Sequence, residues 1–176
     1  MSVPTLLVTG ASGHLGRAVV RHLLDTLNID PARVIATSSK PEALADLAAQ
    51  GVTVRAADFD RPDTLAEAFR GADRLLLVST DALLEPGKRL VQHRAAVQAA
   101  VEARVKHVVY TSLPSPDTSH VSFAPDHLGT EQALAASGLG RTLLRNAWYA
   151  ENLAYALPSA LASGEWVTAA GEGGVS

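Results

Sequence analysis

Apolar residues fall along this chain in two alternating rhythms. Short, nearly unbroken runs predict strands: Thr5-Leu6-Leu7-Val8-Thr9, Val34-Ile35-Ala36-Thr37, Val52-Thr53-Val54-Arg55-Ala56, Arg74-Leu75-Leu76-Leu77-Val78, Lys106-His107-Val108-Val109-Tyr110-Thr111 and Arg141-Thr142-Leu143-Leu144-Arg145. Between them lie stretches of helical periodicity at 17–24, at 41–50 between Pro41 and Gly51, at 62–69 before Gly71, at 86–104 and at 128–136. The long alanine-rich stretch 86–104 carries Leu90, Val91, Val97, Ala100 and Val101 as its apolar positions. Strands apolar at consecutive positions need cover on both faces, and right-handed crossovers put helices there. The expected fold class is therefore α/β, a doubly wound parallel sheet within one domain over 1–176. After Ala147 a helix to about residue 162 and a strand Glu165-Trp166-Val167-Thr168 are expected, then a glycine-rich stop.

Composition narrows the function classes. With 176 residues and 47% of them hydrophobic, the chain can bury one sizeable core. The net charge is -3 and the 15 Lys and Arg are scattered, which argues against nucleic acid as a partner. The absence of cysteine excludes disulfides and thiolate chemistry and suits a cytoplasmic location. No basic leader precedes the first strand, and no apolar run reaches the roughly 18 residues that span a bilayer, so no membrane partner is expected. Six His at 14, 22, 93, 107, 120 and 127 lack ligand spacing; solvated or capping histidines and no metal are expected. The small residues of 86–104 could pack against a second copy, as in a homodimer.

The stretch Gly10-Ala11-Ser12-Gly13-His14-Leu15-Gly16 lies between a strand and a helix with the spacing G-x-x-G-x-x-G, a variant of the Rossmann dinucleotide fingerprint. Gly10 turns the chain off the strand, Gly13 lets backbone approach a pyrophosphate, and Gly16 lets helix and sheet pack closely. A bare packing turn would look similar; its place at the head of three βα units favours the cofactor. After the second strand, Thr37-Ser38-Ser39-Lys40 offers hydroxyls and a cation where a free ribose would want an acid. Ser38, Ser39 and Lys40 thus favour NADP(H) over NAD(H), although they also begin the next helix. Asp58 and Phe59 are candidates for adenine contact, and Asp60 for capping the helix near Pro62. Ser79, Thr80, Thr111 and Ser112 follow strands and are candidate ribose and nicotinamide neighbours.

The glycine loop, Thr111-Ser112-Leu113, His127-Leu128-Gly129-Thr130-Glu131 and Leu144-Arg145-Asn146-Ala147-Trp148-Tyr149-Ala150-Glu151-Asn152 together resemble the NmrA-like atypical short-chain dehydrogenases, closest to their NAD(P)H:quinone oxidoreductase branch. The resemblance implies an NADPH-binding Rossmann-like domain and a smaller C-terminal lobe, so 147–176 reads as the start of an incomplete substrate-binding lobe. It implies hydride transfer to a quinone-like acceptor, with Asn146 near the nicotinamide and Trp148 and Tyr149 at the substrate. A non-catalytic NADP(H)-binding redox sensor is the alternative within the same family.

Two departures stand out. The Tyr-x-x-x-Lys dyad of typical short-chain dehydrogenases is missing, since Tyr110, Tyr149 and Tyr155 are followed four residues on by Pro114, Leu153 and Ser159. His127, in a His-x-x-x-Glu pattern with Glu131, and Tyr149 are the catalytic candidates left, and Gln132 stands where relatives often carry lysine. A surface His-Glu helix pair without a catalytic part is the competing reading for His127 and Glu131. The second departure is length, because similar proteins run on for roughly another hundred residues.

Overall fold

Six strands build one sheet: β1 (Leu6–Val8), β2 (Val34–Ser38), β3 (Thr53–Ala56), β4 (Arg74–Leu77), β5 (His107–Ser112) and β6 (Gly140–Arg145). The computed structural model describes residues 3–166. The strand order is β3-β2-β1-β4-β5-β6, and every pairing is parallel. The chain winds outward from β1 through β2 to β3, then returns to the middle and winds the other way. That reversal lies between β1 and β4, the place where doubly wound sheets open a crevice at the strands' carboxyl ends.

Alternate residues of each strand feed two separate cores. Leu7, Ile35, Leu75, Leu77 and Val108 meet Phe69 of α3 (Leu65–Phe69), Ala96 of α4 (Lys88–Glu102) and Leu134 of α5 (Ala124–Ala136). Val8, Val34 and Ala36 point the other way, against Val20 of α1 (His14–Arg21) and Leu47 of α2 (Ala45–Ala49). The expected helices at 41–50 and 62–69 each open with a short 3-10 turn behind a proline, Pro41–Leu44 and Pro62–Thr64. By its internal contacts the chain divides into two compact units, Met1–Arg145 and Asn146–Ser176. The second holds a 3-10 turn and α6 (Leu153–Ser163). Glu165 and Trp166, expected to begin a strand, are irregular, and Val167 and Thr168 lie outside the described residues. Among the described residues no helix is long and apolar enough to cross a membrane.

Helix α4 corrects the expected apolar face. Val91 and Val101 are exposed, whereas Arg89, Gln92, His93, Ala96, Val97 and Ala100 are buried, at spacings of three and four residues. The alanines proposed for contact with a second copy pack instead within the chain's own core.

Polar residues can share that buried face because each finds a partner. The Thr80 backbone N–H donates to His93 Nε2 at 3.0 Å, so the neutral ring carries its proton on Nδ1 and donates to Thr130 Oγ1 at 3.0 Å. Arg89 Nη1 donates to His127 Nε2 at 3.1 Å, which leaves His127 Nδ1–H to donate to Tyr110 Oη at 2.7 Å. Two of the six histidines are therefore buried members of a seam between α4, β5 and α5, not solvated caps. Burial, with the Arg89 charge and the second ring behind it, depresses the His93 pKa to about 3. Burial and Arg89 depress that of His127 to about 4, with Glu131 pulling weakly the other way.

Two outcomes follow from this packing. A Cβ at Gly16 would press into the Gly10 carbonyl and come within 2.9 Å of the Ala11 Cα, backbone on both sides. Gly16→Ala is expected to lower the unfolding free energy by about 1–3 kcal/mol, read from urea unfolding followed by circular dichroism. Because both histidine pKa values fall on folding, the unfolded chain binds more protons below its ordinary value of 6.5. The seam's contribution is thus complete above that pH and is lost as pH drops toward 4; denaturation midpoints should fall across this window, and less steeply in His93→Gln.

Candidate functional site

At the carboxyl ends of β1, β2, β3 and β4 lies a cavity of about 400 Å³, within the range of small-molecule sites. The glycine turn, the end of β2 and the loops after β3 and β4 surround it. Thr9, fully buried and outside the lining, ties the two strands beside it: its hydroxyl donates to the Leu76 carbonyl at 3.2 Å and accepts the Val78 N–H at 2.9 Å. These bonds carry the β1–β4 pairing one residue past the end of β1. Beyond them Gly10, at φ +59, turns the chain away in a conformation that side chains disfavour, and the crevice opens.

Helix α1 starts at this crevice without a cap. Its N-cap is Gly13, no side chain accepts from the first turn, and no acidic residue stands there. The first N–H groups of a helix have no partner within it and carry a partial positive charge, so this terminus fits an anionic ligand. A Cβ at Gly13 would be 3.3 Å from the Gly10 carbonyl, narrowing the approach.

Of the residues expected here, Gly10, Ser12, Gly13, His14, Leu15, Gly16, Ser38, Ser39, Asp58, Phe59, Ser79 and Thr80 line the cavity. Ala11 does not: it is fully buried and braces the loop through its N–H, donated to the Thr37 carbonyl at 2.9 Å. Ser12 and Ser38 share a hydroxyl hydrogen bond of 2.7 Å, and the Lys40 N–H donates to Ser38 Oγ at 2.9 Å. The Lys40 side chain is exposed beside this rim and is not part of the lining. Thr111 and Ser112 are also buried behind the wall. The Ser79 N–H donates to Thr111 Oγ1 at 2.8 Å, and Ser112 Oγ donates to Glu131 Oε1 at 2.7 Å.

Asp60 is not a helix cap. Arg61 holds the N-cap position, and the Asp60 carboxylate lines the cavity, accepting from Gln92 Nε2 at 2.8 Å with Lys88 Nζ 3.5 Å away. Asp58 makes the local turn instead, its carboxylate accepting the Asp60 N–H at 2.9 Å. The lining also includes Val78, Asp81 and Gln92, which sequence reasoning did not single out. For Gln92 a signal existed: it stands three residues after Arg89 and four before Ala96, on the face that α4 buries.

His127 and Glu131 are not a surface pair. Both are buried; both His127 nitrogens are taken by Tyr110 and Arg89, and Glu131 accepts from Arg145 and Ser112. Burial pushes the Glu131 carboxyl up, but the Arg145 and Ser112 hydrogen bonds outweigh it and hold the pKa below its usual value. In the second unit Asn146 Nδ2 donates to Tyr149 Oη at 3.1 Å, and Trp148 is exposed. No group of three or more His, Cys, Asp or Glu that could hold a metal occurs among the described residues.

Comparisons agree with this architecture. Over 168 residues the chain is 42% identical to quinone oxidoreductase 2 of Escherichia coli (strain K12), spanning 96% of this chain and 57% of that protein. The crystal structure of the E. coli NADPH-dependent quinone oxidoreductase complexed with NADPH superposes with a TM-score of 0.83 at 42% identity, covering 90% of this chain and 54% of that one. Triphenylmethane reductase of Citrobacter sp., complexed with NADP(H), gives 0.84 at 35% identity, covering 90% and 55%. The chain thus spans little more than half the length of these relatives. The model of the NmrA-like family matches residues 3–165, and with the doubly wound sheet and its glycine turn in place the chain belongs to that family.

Proposed function

We propose that the cavity binds NADPH in preference to NADH and that the protein passes hydride to a quinone or similar electrophilic acceptor. The observation that carries the reading is the uncapped, acid-free N-terminus of α1 opening on a cavity at the β1–β4 reversal. Its first N–H groups would take the pyrophosphate. Ser38, Ser39 and Lys40 would take the 2′-phosphate, since no acidic side chain follows β2 directly. Asp58 and Phe59 stand at the adenine end, and Ser79 and Thr80 line the wall toward the ribose. The relatives bound to NADPH and NADP(H) support this cofactor.

Bound NADPH would supply the hydride. A reduced quinone is a stabilised phenolate-like anion, so the protein's task is orientation more than strong acid catalysis. His127 fits that division of labour: neutral, tied at both nitrogens and buried, it orders the seam behind the wall, and the proton comes from water. Trp148 and Tyr149 are assigned to the acceptor, and Asn146 to the reacting end, on the family resemblance alone.

The same sequestration favours a second reading, an NADP(H)-binding redox sensor that does not turn over. Tyr110, buried with its hydroxyl held at His127, is unable to reach a substrate in the manner of a short-chain dehydrogenase tyrosine. Parallel titrations with NADPH and NADH, followed by a simple benzoquinone, test both readings. NADPH should bind more tightly, Lys40→Glu should weaken NADPH about tenfold and leave NADH unchanged, and benzoquinone should be reduced. Binding without NADPH consumption would select the sensor; equal affinities for the two nucleotides, unaffected by Lys40→Glu, would overturn the phosphate assignment.

A further inference from the structure

Strands β3 and β4 are not neighbours; β2 and β1 stand between them. Three strand spacings separate them by about 14 Å, so sheet pairing leaves the distance between their carboxyl-end loops unset. Both loops line the cavity, one through Asp58, Phe59 and Asp60, the other through Ser79, Thr80 and Asp81. One buried side chain joins them. Gln92 of α4 accepts the Thr80 hydroxyl proton at its Oε1, 2.7 Å away, and donates from Nε2 to Asp60 Oδ1 at 2.8 Å. The next residue, His93, holds the Thr80 backbone N–H. The loop after β4 is therefore gripped at backbone and side chain by consecutive residues of α4, and Gln92 passes the grip on to the loop after β3.

We infer that Gln92 is a positioning residue that sets the aperture of the cavity at its Asp58–Asp60 end and so determines affinity for the adenosine half of the nucleotide. The inference rests on the dinucleotide reading of the cavity. Its polarity is specific. Thr80 presents a hydroxyl that must donate, because Gln92 Oε1 is an acceptor only, and Asp60 presents an acceptor; an amide satisfies both, while a carboxylate satisfies only the first. The Gln92 N–H, with Lys88 behind it, already holds the Asp60 carboxyl below its usual pKa. The other carboxylates on this wall are Asp58 and Asp81; Lys88 Nζ lies 3.5 Å from Asp60 and 3.3 Å from Glu85, and the buried Arg89 guanidinium, next on the helix, acts on Asp81 through its charge.

The test uses the isosteric change Gln92→Glu and its reversed-polarity rescue, Gln92→Glu with Asp60→Asn, in which the amide introduced at position 60 donates to the carboxylate introduced at position 92. Affinity for NADPH and for adenosine 2′,5′-bisphosphate is measured by calorimetry between about pH 8 and pH 5.5, with unfolding midpoints as a control. Near pH 8 two facing carboxylates should part the loops and weaken both ligands about tenfold, and affinity should recover toward acid pH as the pair shares a proton. The double variant should bind like the wild type at every pH. A residue that serves only to fill space would give neither the pH profile nor the rescue. If the wild-type chain binds neither ligand, the dinucleotide reading falls and this inference with it. If it binds both while Gln92→Glu leaves affinity unchanged, or the double variant fails to recover it, the clamp alone is overturned.

Discussion

The parting of β1 and β4 governs what the rest of the molecule can do. These strands are paired in the middle of the sheet, yet the chain leaves them toward opposite faces, so beyond Val8 and Leu77 their continuations have to separate. Thr9 holds the pair together to the last possible residue, Gly10 adopts the positive φ that turns the chain off the sheet, and Gly16 lets α1 sit against the turn that launched it. The crevice and the uncapped helix terminus that faces it both follow from this separation. What faces the crevice at this helix end is backbone without a side-chain cap or an acidic residue in the first turn.

Behind the cavity wall the fold accepts an unusual load of buried polarity. Arg89, Gln92, His93, Tyr110, His127, Thr130 and Glu131 would each be expensive to bury singly, but donors and acceptors match almost without remainder. Arg89 Nε is the exception, a buried N–H without a partner, while the guanidinium stacks over Phe123 at 5.0 Å. The matching requires both histidines to be neutral and each to carry its proton on Nδ1. Acid therefore acts on this region first through its stability, and the histidines are poor candidates for proton donors near neutrality.

The absence from this sequence of the Tyr-x-x-x-Lys dyad of typical short-chain dehydrogenases has a structural counterpart. Tyr110 lies on β5 with its hydroxyl consumed in the seam, and Glu131, anchored by Arg145 of β6, helps hold the end of β5 through Ser112. Polar groups that a sequence pattern marks as reactive serve here to fix the wall of the cavity.

Much of this was open to reading from local patterns. Continuous apolar strands, the βα alternation and the three spaced glycines are short-range signals, and they led to the doubly wound sheet, the glycine turn and the cavity-lining Ser38, Ser39, Asp58 and Phe59. Where two long-range partners decide the outcome, local reading failed. Asp60 resembles a helix cap until Gln92, thirty-two residues away, claims its carboxylate. His93 and His127 resemble solvated residues until Thr80, Tyr110 and Arg89 satisfy both rings. Val91 and Val101 count among the apolar positions of α4 by residue type, yet both are exposed, because the buried period of the helix runs through Arg89, Gln92 and His93. The sequence by itself determined which segments become strands and helices and where the chain must turn, because those depend on neighbours within one or two turns. Only the tertiary structure decided which polar residues go inside, because burial of a charge or an amide is permitted by the partner that meets it, and that partner comes from another part of the chain.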